Sequence, residues 1–496
     1  MRVSTEREIK LLLDERATLP DLDGVGGLRV RPVGVHDLTA TYWDTPSARL
    51  GGWSVTLRHR DGTWTLKLPH RRGGPLMSRQ EIEIDAPADR LPPELLGAVR
   101  PFIRHEALAP IAELVTHRET LELATEDGEA VALLTDDRVA ATGAGVAEPR
   151  FREIEIELGG SADERAIRPI VKALVAAGAE RADARPKLSR ALGTPADADP
   201  ELSVPKLPAT PTAREVIVAA TAAATDRLVT HLPLAWFGGD PEGVHQARVA
   251  SRRLRSDLST WGPLVDRAWA DPLRAELGWL GGALGAVRDL DVLVGNVAAI
   301  GDLHPEIEGA SLAALRELLE TRRRAAREEL RQAMTGDRAL DLLDALIDSA
   351  ADPPTSPRAQ GSAATRLQRP VRRRWVKIAA SARRLPKSPS YEALHGLRIS
   401  AKRVRYAAEA VRPAFGTRAA KLAGAAAELQ DALGDLNDAS VATEILREVA
   451  AESGAAAFAA GQVSGIMLAR GRRGRDRWRR RWKRLDTAST RRWLEA

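Results

Sequence analysis

Cysteine is absent from the 496 residues. That excludes disulfides and thiolate metal sites. Any metal must be held by carboxylate or histidine, which points to Mg²⁺ or Mn²⁺ over Zn²⁺. Aromatic residues make up only 4 %, and no motif for reading a nucleobase accompanies them. Apolar runs stay well short of the roughly 18 residues a membrane helix needs, and the polar first ten residues do not read as a signal peptide. These absences predict a cytoplasmic protein with no membrane partner. What is abundant is charge: 74 Lys and Arg against 68 Asp and Glu, 29 % of the chain, with 44 % hydrophobic residues, the balance of a soluble globular class. At about 100–200 residues per domain, two or three domains are expected. The net charge of +6 is small, so the clustering of the basic residues, more than their balance, suggests a polyanionic partner.

The chain has two periods. Up to about residue 192 it reads as strands: ATYWDTP, WSVTLRHR, WTLKLP, SRQEIEID, RETLEL, AVALLTDD and FREIEIEL, separated by Gly, Pro and Asp turns. SADERAIRPIVKALVAAG interrupts them as a helix, with Ser161 or Asp163 as its cap. TPADADPELSVPKLPATPT (194–212) is rich in Pro and acid and reads as a linker. Beyond it nearly every segment has 3.6-residue spacing, with a second break at DPPTSPRAQGS, 352–362.

The strand faces are unusual. Glu6, Glu8 and Lys10 occupy alternate positions and so share one face. Arg58 and Arg60 do the same, as do Arg79, Glu81, Glu83 and Asp85, and Glu153, Glu155 and Glu157, while Val, Leu and Ile hold the opposite faces. A sheet with one wet face explains polar alternation but predicts no sorting of acids from bases. Here acids concentrate on the first and late strands and cations on the middle ones. A barrel closed with this face inward would oppose carboxylates to cations, an enclosure suited to metal-bound phosphates, with acids for the metal and Arg and Lys for the oxygens. His59 alternates away from Arg58 and Arg60, and it and His70 are read as bystanders.

Glu6-x-Glu8-x-Lys10, followed in order by TYWDTPSARL (41–50), LRHRDGTWTLKLP (57–69), FREIEIEL (151–158) and RPKLSRAL (185–192), resembles the signature of the CYTH superfamily, the triphosphate tunnel metalloenzymes. The resemblance implies an eight-stranded antiparallel, tunnel-like barrel over 1–195 that binds triphosphate with Mg²⁺ or Mn²⁺. Carried onto this chain, Glu6, Glu8, Glu155 and Glu157 resemble metal ligands, with Glu153 on the same face; Glu6, Glu8 and Lys10 are the catalytic expectation. Lys10, Arg58, Arg60, Lys67, Arg118 and Lys187 resemble the phosphate-holding cations, and Asp136 and Arg138 are placed with the site. The stretch 86–117 aligns to no site element.

VHQARVASRRLRSDL from 244 and LHGLRISAKRVRYAA from 394 align without a gap at an offset of 150, matching His245 to His395, Arg248 to Arg398, Arg252 to Lys402, Arg253 to Arg403 and Arg255 to Arg405. Positions 245, 248, 252 and 255 form one helical stripe, and 395, 398, 402 and 405 repeat it. Like charges so placed repel, and a bound polyanion would offset that. AVRDLDVL (286–293) resembles ALGDLNDA (432–439), pairing Asp289 with Asp435 and Asp291 with Asn437. These acids are read as partners of nearby Arg in an acid turn that fixes the bundle. The duplicated stripe resembles the CHAD domain. That implies an all-α pair of four-helix bundles over 209–496, in repeats of about 209–350 and 363–496, behind a linker at 196–208, binding inorganic polyphosphate without catalysis. Ten basic residues between Arg470 and Arg484, with Trp478 and Trp482 one turn apart, read equally as a further polyanion contact or as a last bundle helix docked by its Trp stripe.

The leading expectation is therefore a multidomain α+β inorganic triphosphatase. It would act on triphosphate or short polyphosphate and carry a polyphosphate-binding helical half, in the cytoplasm and at polyphosphate granules. A non-catalytic polyphosphate binder, a nucleoside or thiamine triphosphatase and an adenylate cyclase are the alternatives. Nucleic acid is ranked below polyphosphate as the partner.

Overall fold

Alternation of charged and apolar residues along segments such as EREIKLLL and FREIEIEL favours extended chain whose two faces need different surroundings. The computed structural model describes residues 1–71, 77–142, 150–160, 162–182, 186–192, 200–307 and 309–495, without the side chains of 70, 71, 77, 437 and 473–476. Ser161, Arg185, the His70 and Asn437 side chains and the first part of the expected linker thus lie outside the described residues. The chain divides into two units, Met1–Glu201 and Leu202–Ala496, a division that falls within the 196–208 segment.

In the first unit β1 (Arg2–Leu13), β2 (Arg29–Asp44), β3 (Thr56–Arg60), β4 (Thr63–Arg71), β5 (Met77–Asp85), β6 (Ala109–Ala124), β7 (Ala130–Thr142) and β8 (Arg150–Leu158) pair antiparallel in the order β5-β4-β3-β2-β6-β7-β8-β1. β1 closes the ring. Its first half pairs with β5, from Arg2↔Glu83 to Glu8↔Met77, and its second half with β8, from Glu8↔Glu157 to Leu13↔Arg152. A two-residue β9 (Glu180–Arg181) adds to its edge. Four helices, α1 (Arg49–Gly52), α2 (Pro93–Ile103), α3 (Glu164–Ala176) and α4 (Lys187–Leu192), accompany the barrel. Asp163 caps α3, accepting a hydrogen bond from the Arg165 backbone N–H at 3.0 Å.

The hydrophobic core lies outside the barrel wall. Ile9, Leu11 and Leu13 of β1 and Ile154 and Ile156 of β8 pack against Ile167, Ile170, Val171 and Leu174 of α3. Because the period of a strand is two, that choice turns Glu6, Glu8, Lys10, Glu155 and Glu157 inward. Charges enclosed by a wall of backbone must then be paired or occupied, since an isolated buried charge is costly.

The second unit is helical throughout: α5 (Ala213–Phe237), α6 (Pro241–Trp261), α7 (Arg267–Leu303), α8 (Gly309–Thr335), α9 (Asp337–Ala351), α10 (Ala363–Arg366), α11 (Gln368–Arg384), α12 (Tyr391–Ala410), α13 (Arg412–Ala432), α14 (Gly434–Glu452), α15 (Gly454–Leu485) and α16 (Ala488–Glu495). The basic stripes occupy α6 and α12. α6 approaches α5 closely: a Cβ on Gly243 would stand 2.6 Å from the Leu234 backbone, so a side chain there would displace the stripe. Helices of the two repeats share a core, with Leu293, Val297 and Ile300 of α7 and Leu315 and Leu319 of α8 against Leu446 and Val449 of α14 and Val463 of α15. The acid motif is not a turn in the first repeat: Asp289 and Asp291 sit within the continuous α7, whereas its counterpart straddles the α13–α14 junction. The 352–362 break is tied down, since Ser362 bridges Thr212 and the Ala213 backbone N–H donates to Gly361 O at 2.9 Å. Trp482 stacks on Trp375 with centroids 5.7 Å apart, and Trp478 is buried, so the C-terminal Trp pair docks on the bundle. Among the described residues no helix is long and apolar enough to cross a membrane.

Candidate functional site

Inward positions of the barrel converge on one cavity. β1 supplies Glu6, Glu8 and Lys10, β3 Arg58 and Arg60, β4 Lys67, β6 Arg118, β8 Glu155 and Glu157, and the start of α4 Lys187. Acid and base meet in this lumen, but as interleaved ion pairs and not as the opposed walls expected: Lys67 lies against Glu6 and Glu81, and Lys187 and Arg118 against Glu155. Glu155 is its hub: Lys10 donates to one oxygen, while Lys187 at 2.6 Å and Arg118 at 3.3 Å donate to the other. Burial pushes the Glu155 carboxyl upward, but Lys10, Lys187 and Arg118 outweigh it and hold the group well below the usual carboxylate range. Burial likewise opposes the Lys10 charge, yet Glu155, Glu8 and Glu153 hold its pKa above the ordinary lysine value.

Away from this hub the cavity has two poles. At one, Glu6 accepts from Lys67 through both oxygens at 2.7 Å, and Glu81 lies 3.4 Å from Lys67. Glu157 stands beside them, its pKa raised by burial and by the charge of Glu6, with Glu8 and Glu81 adding to the crowding. At the other pole Arg60 has its nearest acid, Asp61, at 3.8 Å. Its pKa is lowered by burial and by the neighbouring Arg58 and Arg118. Among the described residues six carboxylates and seven cations line the cavity, so it has almost no net charge of its own.

Three expectations are corrected. Glu153 is fully buried behind the cavity, 3.6 Å from Lys10, 3.7 Å from Lys187 and 3.6 Å from Arg190; it neutralises cations and faces no open space for a metal. Arg138 is exposed on the outer face of β7. Asp136 also faces outward and is bound bidentately by Arg152 at 2.7 and 2.6 Å. The inward residue of that stretch is Asp137, which accepts both Arg118 nitrogens at 2.7 Å and also Lys187. A one-residue choice of phase in TDDRVA decides between them, and two adjacent aspartates leave that phase unmarked in sequence. Arg79, Glu81 and Glu83 line the cavity as their shared face implied, although they were not named as site residues, and Tyr42, inside the quoted TYWDTPSARL but likewise not named, joins them. Asp85, at the end of that face, is exposed beside Arg2. His59 turns away, its ring 3.1 Å from Ala86 O.

In the helical unit His245, Arg248 and Arg252 of α6 and Arg398 and Lys402 of α12 line a single cavity of about 390 Å³. Arg288 of α7 joins them; it lies in the quoted AVRDLDVL, where only the acids had been weighed. Asp289 pairs with Arg248 at 2.7 Å and Asp291 with Arg327 at 3.0 Å, the bracing role expected for these acids. Burial and the charges of Arg252, Arg398, Arg248 and Arg255 lower the Lys402 pKa to about 7. The other expected cations are not on this cavity. Arg253 binds Asp257 at 2.8 Å and also Glu409, and Arg405 binds Glu409 at 2.8 Å. Arg255 and Arg403 point to solvent, and His395 stacks on Tyr391 with centroids 6.0 Å apart.

Residues 4–178 match the CYTH domain family and residues 219–447 the CHAD domain family. Two proteins of Mycobacterium tuberculosis, "Uncharacterized protein Rv2226" of strain ATCC 25618 / H37Rv and "Uncharacterized protein MT2285" of strain CDC 1551 / Oshkosh, are each 32 % identical over 481 residues, covering 89 % of this chain and 88 % of theirs. Among solved structures, PptA from Streptomyces chartreusis is similar at 21 % identity and a TM-score of 0.45, over 55 % of this chain and 99 % of that one. The CHAD domain from the plant Ricinus communis is similar at 27 % identity and a TM-score of 0.45, over 59 % and 95 %. With both domain matches in order and a relative alike over nearly its whole length, the chain belongs to the family of proteins that join an N-terminal CYTH domain to a CHAD domain.

Proposed function

We propose that the barrel hydrolyses inorganic triphosphate, or the end of a short polyphosphate, with Mg²⁺ or Mn²⁺, and that the helical unit binds polyphosphate. The observation that carries the reading is the lumen with an acidic pole at Glu6, Glu8, Glu81 and Glu157 and a cationic pole at Arg60, with Arg58 between them at 3.8 Å from Glu81 and Arg118 held by Asp137 and Glu155, and with the hydrocarbon outside the wall. A lumen of almost zero net charge gains little from a polyanion alone, whereas a polyanion carrying a divalent cation satisfies both poles.

The donor chemistry fits such a cation. Glu6, Glu8 and Glu157 are hard oxygen donors, and the crowding that raises the Glu157 pKa is the strain a cation relieves. Among the described residues no three acids are already gathered as a metal centre, and Glu6 is bound by Lys67. Glu6, Glu8 and Glu157 would hold the metal, which when bound neutralises phosphate oxygens and lowers repulsion toward an incoming water; Glu155, also expected as a ligand, is instead taken up by Lys10, Lys187 and Arg118. Arg58, Arg60 and Arg118 hold the phosphoryl oxygens and stabilise charge on the departing diphosphate. Lys10 and Lys187 keep Glu155 ionised, and Asp137 and Glu155 hold Arg118 at the lumen wall. Water adds to the terminal phosphorus and the bridging P–O bond breaks, giving phosphate and diphosphate.

The test is phosphate release from tripolyphosphate, ATP and long polyphosphate, with and without Mg²⁺, for the native chain and Glu6→Gln. The expected result is Mg²⁺-dependent release from tripolyphosphate that falls at least tenfold in Glu6→Gln. No release from any substrate would leave the barrel a binding module only.

A further inference from the structure

The helical unit holds a second cavity, larger and chemically unlike the basic one. It measures about 910 Å³, within the range of small-molecule sites, and is bounded mainly by α5, α6, α12 and the segment 204–207. One wall is hydrocarbon: Ala219, Ala220, Ala223 and Ala224 of α5 face Ala410 and Pro413. The rest of the lining carries the cations Arg227, Arg252, Arg253 and Arg405 and the acids Glu409 and Asp431. The two cavities share His245, Val249 and Arg252, so Arg252 reaches both.

The polar groups of this lining differ in how far they are satisfied. Arg253 and Arg405 are neutralised by Asp257 and Glu409. Arg252 forms no ion pair among the described residues, and its Nε donates to nothing. Its guanidinium lies 5.4 Å from the centroid of Tyr406. Tyr406 is 97 % buried against Arg252, which hydrogen-bonds to it, and the side-chain carbonyl of the half-buried Gln430 has no hydrogen-bond partner among the described residues. Buried polar atoms are ordinarily satisfied, and an unsatisfied set on one cavity points to a missing partner. That partner needs an anionic group for Arg252, a flat or apolar body for the alanine wall, and N–H or O–H donors for Gln430. An acyl chain would cover Gln430 without offering it a donor, and inorganic polyphosphate would leave the alanine wall empty.

We infer that this cavity binds a nucleotide. The base lies against the alanines of α5 with an exocyclic N–H donating to Gln430, and the phosphates run past Tyr406 to Arg252, toward the basic cavity beyond. The site stands whether or not that neighbouring cavity holds polyphosphate.

Photolabelling of the full chain with 8-azido-ADP, followed by peptide mapping, tests it. Label is expected on peptides containing 204–227 or 405–431, and excess ADP should compete while equimolar tripolyphosphate should not. Ala223→Phe, at an exposed position that tolerates bulk, should fill the wall and reduce that labelling at least tenfold while leaving phosphate release and polyphosphate retention unchanged. Gln430→Ala should reduce it severalfold and serves if Ala223→Phe misfolds. Label only on barrel peptides, no label at millimolar probe, or labelling equal in both variants would overturn the assignment. Loss of the polyphosphate reading would appear separately, as failure of the native chain to retain polyphosphate with labelling intact.

Discussion

Glu155 shows how one residue can organise a lumen. Three cations converge on it, and removing one partner from a buried ionic set typically costs about 3–5 kcal/mol, because the remaining charges stay buried. Glu155→Ala is therefore expected to lower the barrel's unfolding free energy, measured by urea denaturation, by an amount in that range and to abolish phosphate release. The pH dependence follows from its depressed pKa. The folded value lies below the unfolded one, so the stabilisation is complete above the unfolded carboxylate pKa of about 4.3 and fades only as pH falls through the lower folded value. Acid titration of the variant, read by circular dichroism, should lack that low-pH component. Glu157 has the opposite sign. Its raised folded pKa means that the ionised form is disfavoured in the folded lumen, so its cost is present at neutral pH and disappears as pH falls. Glu157→Gln should raise the melting temperature at pH 7 by roughly 1–2 °C without metal while lowering Mg²⁺-dependent release at least tenfold. A fall in both would mean that Glu157 is a structural acid.

At the scale of the element, β7 and α12 are the informative cases. The phase of β7 puts Asp137 inside and Arg138 outside, so Asp137→Ala should cost activity and Arg138→Ala should change neither release nor stability by more than about 0.5 kcal/mol. Loss of activity in Arg138→Ala would contradict the strand's orientation. On α12, Lys402 faces a cavity crowded with Arg248, Arg252 and Arg398. With its pKa at about 7 it is roughly half neutral in the empty protein at neutral pH. A bound polyanion restores the charge, so polyphosphate binding at pH 7.5 should take up a proton. Calorimetry in buffers of different ionisation enthalpy measures this, and Lys402→Met should remove the uptake. Both β7 and α12 were recognisable as elements from their spacing. Their facing partners were not, since spacing along one helix carries no information about which of its cations another helix's acids will claim. Glu409 of α12 takes Arg253 of α6 in this way, while its pairing with Arg405 is an i,i+4 contact along its own helix.

Across the whole molecule, the proposed hydrolysis in one unit and polyphosphate binding in the other would be separate chemistries on one chain. Arg248→Glu with Arg398→Glu is expected to abolish polyphosphate retention and to leave tripolyphosphate hydrolysis within twofold of native, as filter binding and phosphate release would show. Joint loss would mean that the two units form one site.

The amino-acid sequence by itself determined that the first half is a strand barrel with acid and base sorted by face, that the second is helical and duplicated, and that Glu6, Glu8, Lys10, Arg58, Arg60, Lys67, Arg118, Glu155, Glu157 and Lys187 belong together. The sorting by face and the helical duplication follow from periods of two and 3.6 residues, which are local properties of the backbone; closure into a barrel and the grouping of those ten residues were implied by the resemblance to the CYTH superfamily. Tertiary structure alone decided that Glu153 closes behind the lumen, that Asp137 replaces Asp136 and Arg138, that Arg288 joins the basic cavity, and that an alanine-lined pocket adjoins it. Each of these depends on which groups from distant segments meet, and electrostatic pairing and burial are settled by that meeting, not by order along the chain.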